Sequence, residues 1–155
     1  MLELDENAAG KSRLVALRIS IMLLRLTESW RRPLIDHDSA IILLAITAIC
    51  GEKLTRTRLE PEFHDLAVAI PRDRLTACNI NSIAEATGIN RETARRKVDR
   101  LVKAGVLSKE NGLVYLSPGF SQRPEPRAIL RSQLEVLRQT ANALIRDGVF
   151  METAD

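Results

Sequence analysis

Seven basic side chains, Arg91, Arg95, Arg96, Lys97, Arg100, Lys103 and Lys109, crowd into residues 88–109 against only Glu92 and Asp99. The segment carries +5, so the remainder of a chain whose formal charge is +3 carries −2. Cations of this kind donate hydrogen bonds and neutralise charge; they do no covalent chemistry. Arginine presents a planar fork that matches O6 and N7 of guanine, a contact worth about 1–3 kcal/mol against a wrong base. Contacts from Arg100 or Lys103 to phosphate would position without specifying, and would make affinity fall with salt. At about 100° per residue, Ala94, Val98 and Leu101 take one side of a helix. Glu92, Arg96, Arg100 and Lys103 take the other, with Thr93 and Arg95 on the flanks. A charged helix face is most often just solvated, and Glu92 with Arg96 could be an i,i+4 surface pair. The surrounding elements decide between these readings.

Asn79 can cap a short helix over 80–87, although Ser82 with Glu85 offers a rival capping box, and Gly88 stops the helix. Asn90 is a good N-cap for a longer helix over 91–104, which Gly105 ends. Residues 106–110 and 113–117 then flank Asn111-Gly112, the strongest short-range signal for a hairpin. A two-residue turn pairs Glu110 with Leu113 and puts Leu107, Val114 and Leu116 on one face, ready to dock on the helices. Helix, glycine turn, longer helix and tight hairpin are the parts of a winged helix-turn-helix.

The run Ile83-Ala84-Glu85-Ala86-Thr87-Gly88-Ile89-Asn90-Arg91-Glu92-Thr93-Ala94-Arg95-Arg96-Lys97-Val98, continued by Asp99-Arg100-Leu101-Val102-Lys103-Ala104-Gly105-Val106-Leu107, resembles bacterial winged-helix transcription regulators of the GntR, IclR and MarR kinds. In those families the helix matching 90–104 enters the DNA major groove. The resemblance implies Arg91 and Arg95 as base readers, with Asn90, Glu92, Thr93 and Arg96 contacting bases or phosphates around them. Lys109 and Asn111 sit at the wing tip, where a minor contribution is expected and Asn111 serves the turn. Two features depart from the pattern. About 25 residues separate the preceding apolar helix from the helix-turn-helix, so either a short helix at Pro61 acts as the first helix or the chain carries an insertion. No separate ligand-binding domain is visible outside 79–117, so effector sensing does not carry over and an effector stays unknown.

The flanks are helical in pattern. Leu14, Leu17, Ile21 and Leu24 recur at 3,4,3 spacing within a helix over 9–30 that two cations and Pro33 would end. Asp36 or Asp38 can cap a second helix running to about residue 53, apolar on nearly every side and the expected centre of the core. Pro118, Pro124 and Pro126 mark a linker, after which 127–147 reads as a helix with Leu130, Leu134, Leu137, Ala141 and Leu144 in a 4,3,4,3 seam too short for a coiled coil.

Composition closes off other classes. The chain is 155 residues, 45% hydrophobic, and only 3% aromatic, which leaves too few rings for a platform that stacks unpaired bases. Neither Cys50 nor Cys78 lies in a CxxC pair; both are expected as core or loop thiols, in a reducing setting. His37 and His64 lack metal spacing, and no phosphate-loop, zincin or nucleophile-elbow motif occurs, so neither an enzyme, a metal nor a cofactor is expected. The acidic opening Glu3, Asp5, Glu6 is unlike an export signal, and the longest uncharged run, 39–51, is 13 residues where a membrane span needs about 20.

The expected protein is mainly α, a winged helix-turn-helix with a two-stranded β-hairpin wing and additional long N- and C-terminal helices. Its expected divisions are 1–35, an N-terminal amphipathic helix; 36–117, the winged domain with an insertion at 54–77; 118–126, a linker; and 127–155, a C-terminal helix and tail. It is expected in the cytoplasm, bound to double-stranded DNA, with no membrane contact. Two long helices exceed what so small a domain needs to cover itself, which favours a homodimer through them. The competing reading is a winged-helix scaffold that binds an acidic protein and no specific DNA.

Overall fold

The computed structural model describes residues 1–6, 8–29, 36–56 and 59–152. Trp30, Arg31, Arg32 and Pro33, where the first helix is expected to end, lie outside them. The protein is mainly α, with two antiparallel strand pairs, and divides into two compact units. Among the described residues no helix is long and apolar enough to cross a membrane.

The larger unit, Arg32–Arg127, is a winged helix-turn-helix. Its first helix is α2, His37–Cys50, which packs against α4 (Ile80–Thr87), α5 (Arg91–Lys103) and strand β3 (Leu113–Leu116). Ile42, Ile46 and Cys50 recur every four residues and are buried with Cys78, Ile83, Ala94, Val98, Leu101, Leu107 and Val114. α2 thus packs where a first helix is expected, and between it and α4 the described residues hold α3 and two 3₁₀ turns. The helix expected to reach residue 53 breaks earlier, at Gly51, whose N–H closes on Thr47 O at 2.9 Å before the chain restarts as α3, Glu52–Arg56. Within the insertion, the helix expected from Pro61 is a single 3₁₀ turn, Pro61–Phe63. Asp65 accepts from the Ala67 N–H at 2.8 Å, and this local turn competes with helical bonding. A second 3₁₀ turn, Arg72–Arg74, follows. Arg72 pairs with Glu110, reaches Ser108 at 3.4 Å and lies 5.2 Å over the Tyr115 ring, bracing the insertion on the wing.

Asp36 rather than Asp38 caps α2, accepting from the Ser39 N–H at 3.0 Å. Lys97 of α5 reaches the same carboxylate at 2.7 Å and is itself only 14% exposed. The hydrogen bond from Lys97 holds the Asp36 carboxyl down at about 2. Replacing Asp36 with alanine removes a cap and the nearer of two carboxylates facing a mostly buried ammonium, and is expected to lower stability by about 1–2 kcal/mol at neutral pH. Because the folded-state pKa is depressed, this stabilisation is present above the ordinary value of 3.8 and fades as pH falls through about 2. Nearly half of the Asp36 side chain is exposed, so the pH-dependent share is a screened fraction of that loss. Urea titrations of both proteins at pH 6 and pH 2 check this: the difference should shrink at pH 2, and an equal difference would contradict it.

The smaller unit, Met1–Arg31 with Ala128–Asp155, is built from α1 (Ser12–Glu28), most of α6 (Pro124–Arg146) and a pair of three-residue strands. Strand β1, Leu2–Leu4, runs antiparallel to β4, Phe150–Glu152, a pairing the sequence reading missed. Arg18 bonds Asp147 at 2.9 Å, Lys11 bonds Gly148 O at 2.6 Å, and Arg25 meets Gln139 at 3.2 Å. Helix α6 starts at Pro124, not at residue 127 after a linker reaching 126, because a proline in the first turn lacks only N–H groups that have no helical partner anyway. Ala143 and Leu144 of its seam end are buried. Leu14 and Ala141 are half-buried, and the remaining seam positions face outward: Leu17, Ile21 and Leu24 are 56%, 46% and 70% exposed, and Leu130, Leu134 and Leu137 are 44%, 56% and 48% exposed.

Candidate nucleic-acid interface

Local chemistry builds the presentation of α5. Asn79 and Ser82 form the capping box that opens α4, so the rival box from Ser82 to Glu85 is not used. Gly88 ends α4 at φ +68°, a left-handed conformation that favours glycine. Two residues later Asn90 Oδ1 accepts from the Glu92 N–H at 2.9 Å and starts α5. At the far end the Gly105 N–H bonds Val102 O and the Val106 N–H bonds Leu101 O, both at 3.0 Å, which turns the chain into β2, Leu107–Glu110. Asn111 and Gly112 both have positive φ, as a type I′ hairpin turn demands, and Glu110 pairs with Leu113. Leu107 and Val114 are buried against the helices and Leu116 partly so, giving the wing the expected face. Residues 78–79 run beside β3 as a vestigial third strand: Cys78 O accepts from Val114 N at 2.7 Å and Asn79 bridges Leu113.

Ala94, Val98 and Leu101 are buried, so the opposite face of α5 is left to solvent. Arg91, Arg96, Arg100 and Lys103 are exposed and make no ion pair among the described residues. Asn90 and Glu92 are also exposed, while Thr93 is half-buried. Arg95 is committed elsewhere. Its Nε and Nη2 donate to the two oxygens of Glu92 at 3.0 and 2.5 Å, and its Nη1 lies 3.7 Å from Asp99. These bonds hold the Glu92 carboxyl below its usual range and the Arg95 guanidinium above its own. Lys109, on the wing, reaches Asp99 at 3.4 Å.

Charge counting missed two residues. Lys97 contributes to the +5 but points inward to Asp36 and Asp38, so it presents no charge to a ligand. Its place next to Leu101, at the edge of the buried stripe on the helical wheel, carries that signal. Asp99 joins α5 to the wing, a link no local pattern encodes. Cys50 and Cys78 are both buried, and hydrogen bonding between the two thiols, followed by burial, pushes the Cys50 thiol up. His64 Nε2 is 2.9 Å from Leu59 O, and among the described residues no three His, Cys, Asp or Glu side chains gather to hold a metal.

No family model matches the chain, and no curated protein does. Among solved structures, one of BpsR from Bordetella bronchiseptica, a protein whose DNA binding is regulated by 6-hydroxynicotinic acid, shares 15% identity, with 85% of this chain and 77% of that one covered and a TM-score of 0.41. So distant a likeness carries no functional weight, and the fold stands on the elements described above.

Proposed function

We propose that the protein is a transcription regulator that binds double-stranded DNA, with α5 reading the major groove. One observation carries this: Arg96, Arg100 and Lys103, which make no ion pair among the described residues, share the exposed face of the second helix of a helix-turn-helix, with Arg91 exposed at its start. Arg91 and Arg95 read base edges. Asn90, Thr93 and Arg96 contact bases or phosphates near the start of α5, Glu92 accepts from a base edge only, Arg100 and Lys103 hold phosphates, and Lys109 adds a contact from the wing at a matched site. The outward seams of α1 and α6 pair with those of a second copy, since exposed Leu and Ile side chains on both helices form an apolar surface that a monomer would leave in water. A dimer of this kind engages two half-sites about one helical turn, or a multiple, apart.

Selection of bound duplexes from a random pool, then titration at 50 and 200 mM salt, tests the reading. Four phosphate contacts per protomer give a log–log salt slope of about −3.6 for each half-site engaged. Sedimentation of the protein should show a dimer, and Leu24→Glu with Leu134→Glu a folded monomer. No duplex binding at low salt would overturn the reading in favour of a scaffold for an acidic protein; a monomeric wild type would remove the dimer.

A further inference from the structure

Glu92, Arg95, Asp99 and Lys109 form a continuous chain of alternating charge across the outside of α5 and onto the wing. Exposed pairs contribute little to stability, so this chain is poorly explained as a fold-stabilising device. Its effect on binding is larger. The Glu92 carboxylate engages Arg95 fork on fork, the same geometry a phosphate would use, and Asp99 stands between Arg95 and Lys109. The neighbouring Arg91, Arg96, Arg100 and Lys103 have no such partner.

We infer that Glu92 and Asp99 are positioning residues for selectivity: they hold Arg95 and Lys109 away from the DNA backbone, so that these two cations add nothing to binding at random sequence. The inference rests on the DNA-binding reading above. Moving Arg95 from Glu92 to a phosphate exchanges one bidentate anion for another and leaves the freed carboxylate facing a polyanion. That exchange is close to neutral or unfavourable. At a matched site, two bonds to a guanine edge tip the balance, so Arg95 is released only where the sequence is right. The low pKa of Glu92 keeps the carboxylate charged throughout the neutral range.

The test compares the full-length wild type with Glu92→Gln, Asp99→Asn and the double variant, each titrated with a random-sequence duplex and with a pool-selected duplex at two salt concentrations. Glu85→Gln is the charge-matched control: Glu85 is exposed on α4 and has no partner among the described residues. The double variant should bind random duplex about tenfold more tightly, with a salt slope steeper by roughly 0.9 per released cation. The selected duplex should gain less, so the ratio between the two falls. Glu85→Gln should change random binding by less than about twofold with its slope unmoved. If the wild type binds DNA and neither carboxylate variant exceeds the control, the inference is overturned and the DNA-binding reading survives. If the double variant binds duplex where the wild type is silent, the holding-back is supported directly. If none of the proteins binds, both fall together. Melting curves should barely move, because every replaced side chain is exposed or half-exposed.

Discussion

Replacing Arg91 and Arg95 together with alanine is expected to abolish discrimination between a selected duplex and a scrambled one. Each bidentate contact to a guanine edge contributes about 1–3 kcal/mol, so losing two costs roughly 30-fold to 10⁴-fold in affinity for the selected site. Scrambled duplex should weaken far less, because Arg96, Arg100 and Lys103 keep their phosphate contacts. The two arginines start from different states. Arg91 is free in the unbound protein, whereas Arg95 must first leave Glu92. Arg91→Ala alone should therefore carry the larger share of the loss. Fluorescence anisotropy with labelled duplexes reads this out, and since both side chains are exposed the circular dichroism should stay native. Retained discrimination in the double variant would remove α5 as the reading helix.

The second large effect concerns the core. Ile46 is completely buried in α2, among Ile42, Ile83, Val98 and Val114. Ile46→Ala removes three heavy atoms from that cluster and leaves a cavity, which costs about 2–5 kcal/mol. Against a total of about 5–15 kcal/mol for a domain, that is a large fraction. The urea midpoint should fall accordingly, and duplex binding should disappear at the same lower urea concentration, because α5 is anchored on this cluster through Ala94, Val98 and Leu101. Leu44→Ala, on the same helix but 43% exposed, should cost under about 1 kcal/mol. Equal losses at the two positions would contradict the inward orientation of Ile46.

What was legible in the residues was what local chemistry decides. Asn79, Gly88, Asn90, Gly105 and Asn111-Gly112 each impose a start, a stop or a turn within a few positions, and the helix-turn-helix and wing follow from them with their register. The buried stripe of α5 was equally open, since it needs only the helical period. What escaped depends on partners distant in the chain. Lys97 is drawn inward by Asp36, 61 positions away, and no count of charges within 88–109 reveals it. The engagement of Lys109 with Asp99 exists only once the wing has folded back. Strands β1 and β4 are too short for alternation to show, and α6 begins inside what reads as a proline linker. The candidate residues of α5 were thus legible as a group, while the division between free and tethered cations needed three dimensions.

The joining of Leu2–Leu4 to Phe150–Glu152 sets an order on synthesis. The winged unit holds its whole core between Ile42 and Val114, so it can close while β4 is still to be translated. Helix α1 emerges first, yet its smaller unit is complete only after α6 and β4 have been made. At roughly 5–20 residues per second that interval is on the order of ten seconds. Throughout it α1 lacks the bonds from Arg18 to Asp147 and from Lys11 to Gly148 that tie it to the end of α6, and its apolar side chains are open to a chaperone or to the same helix of a neighbouring nascent chain on one message.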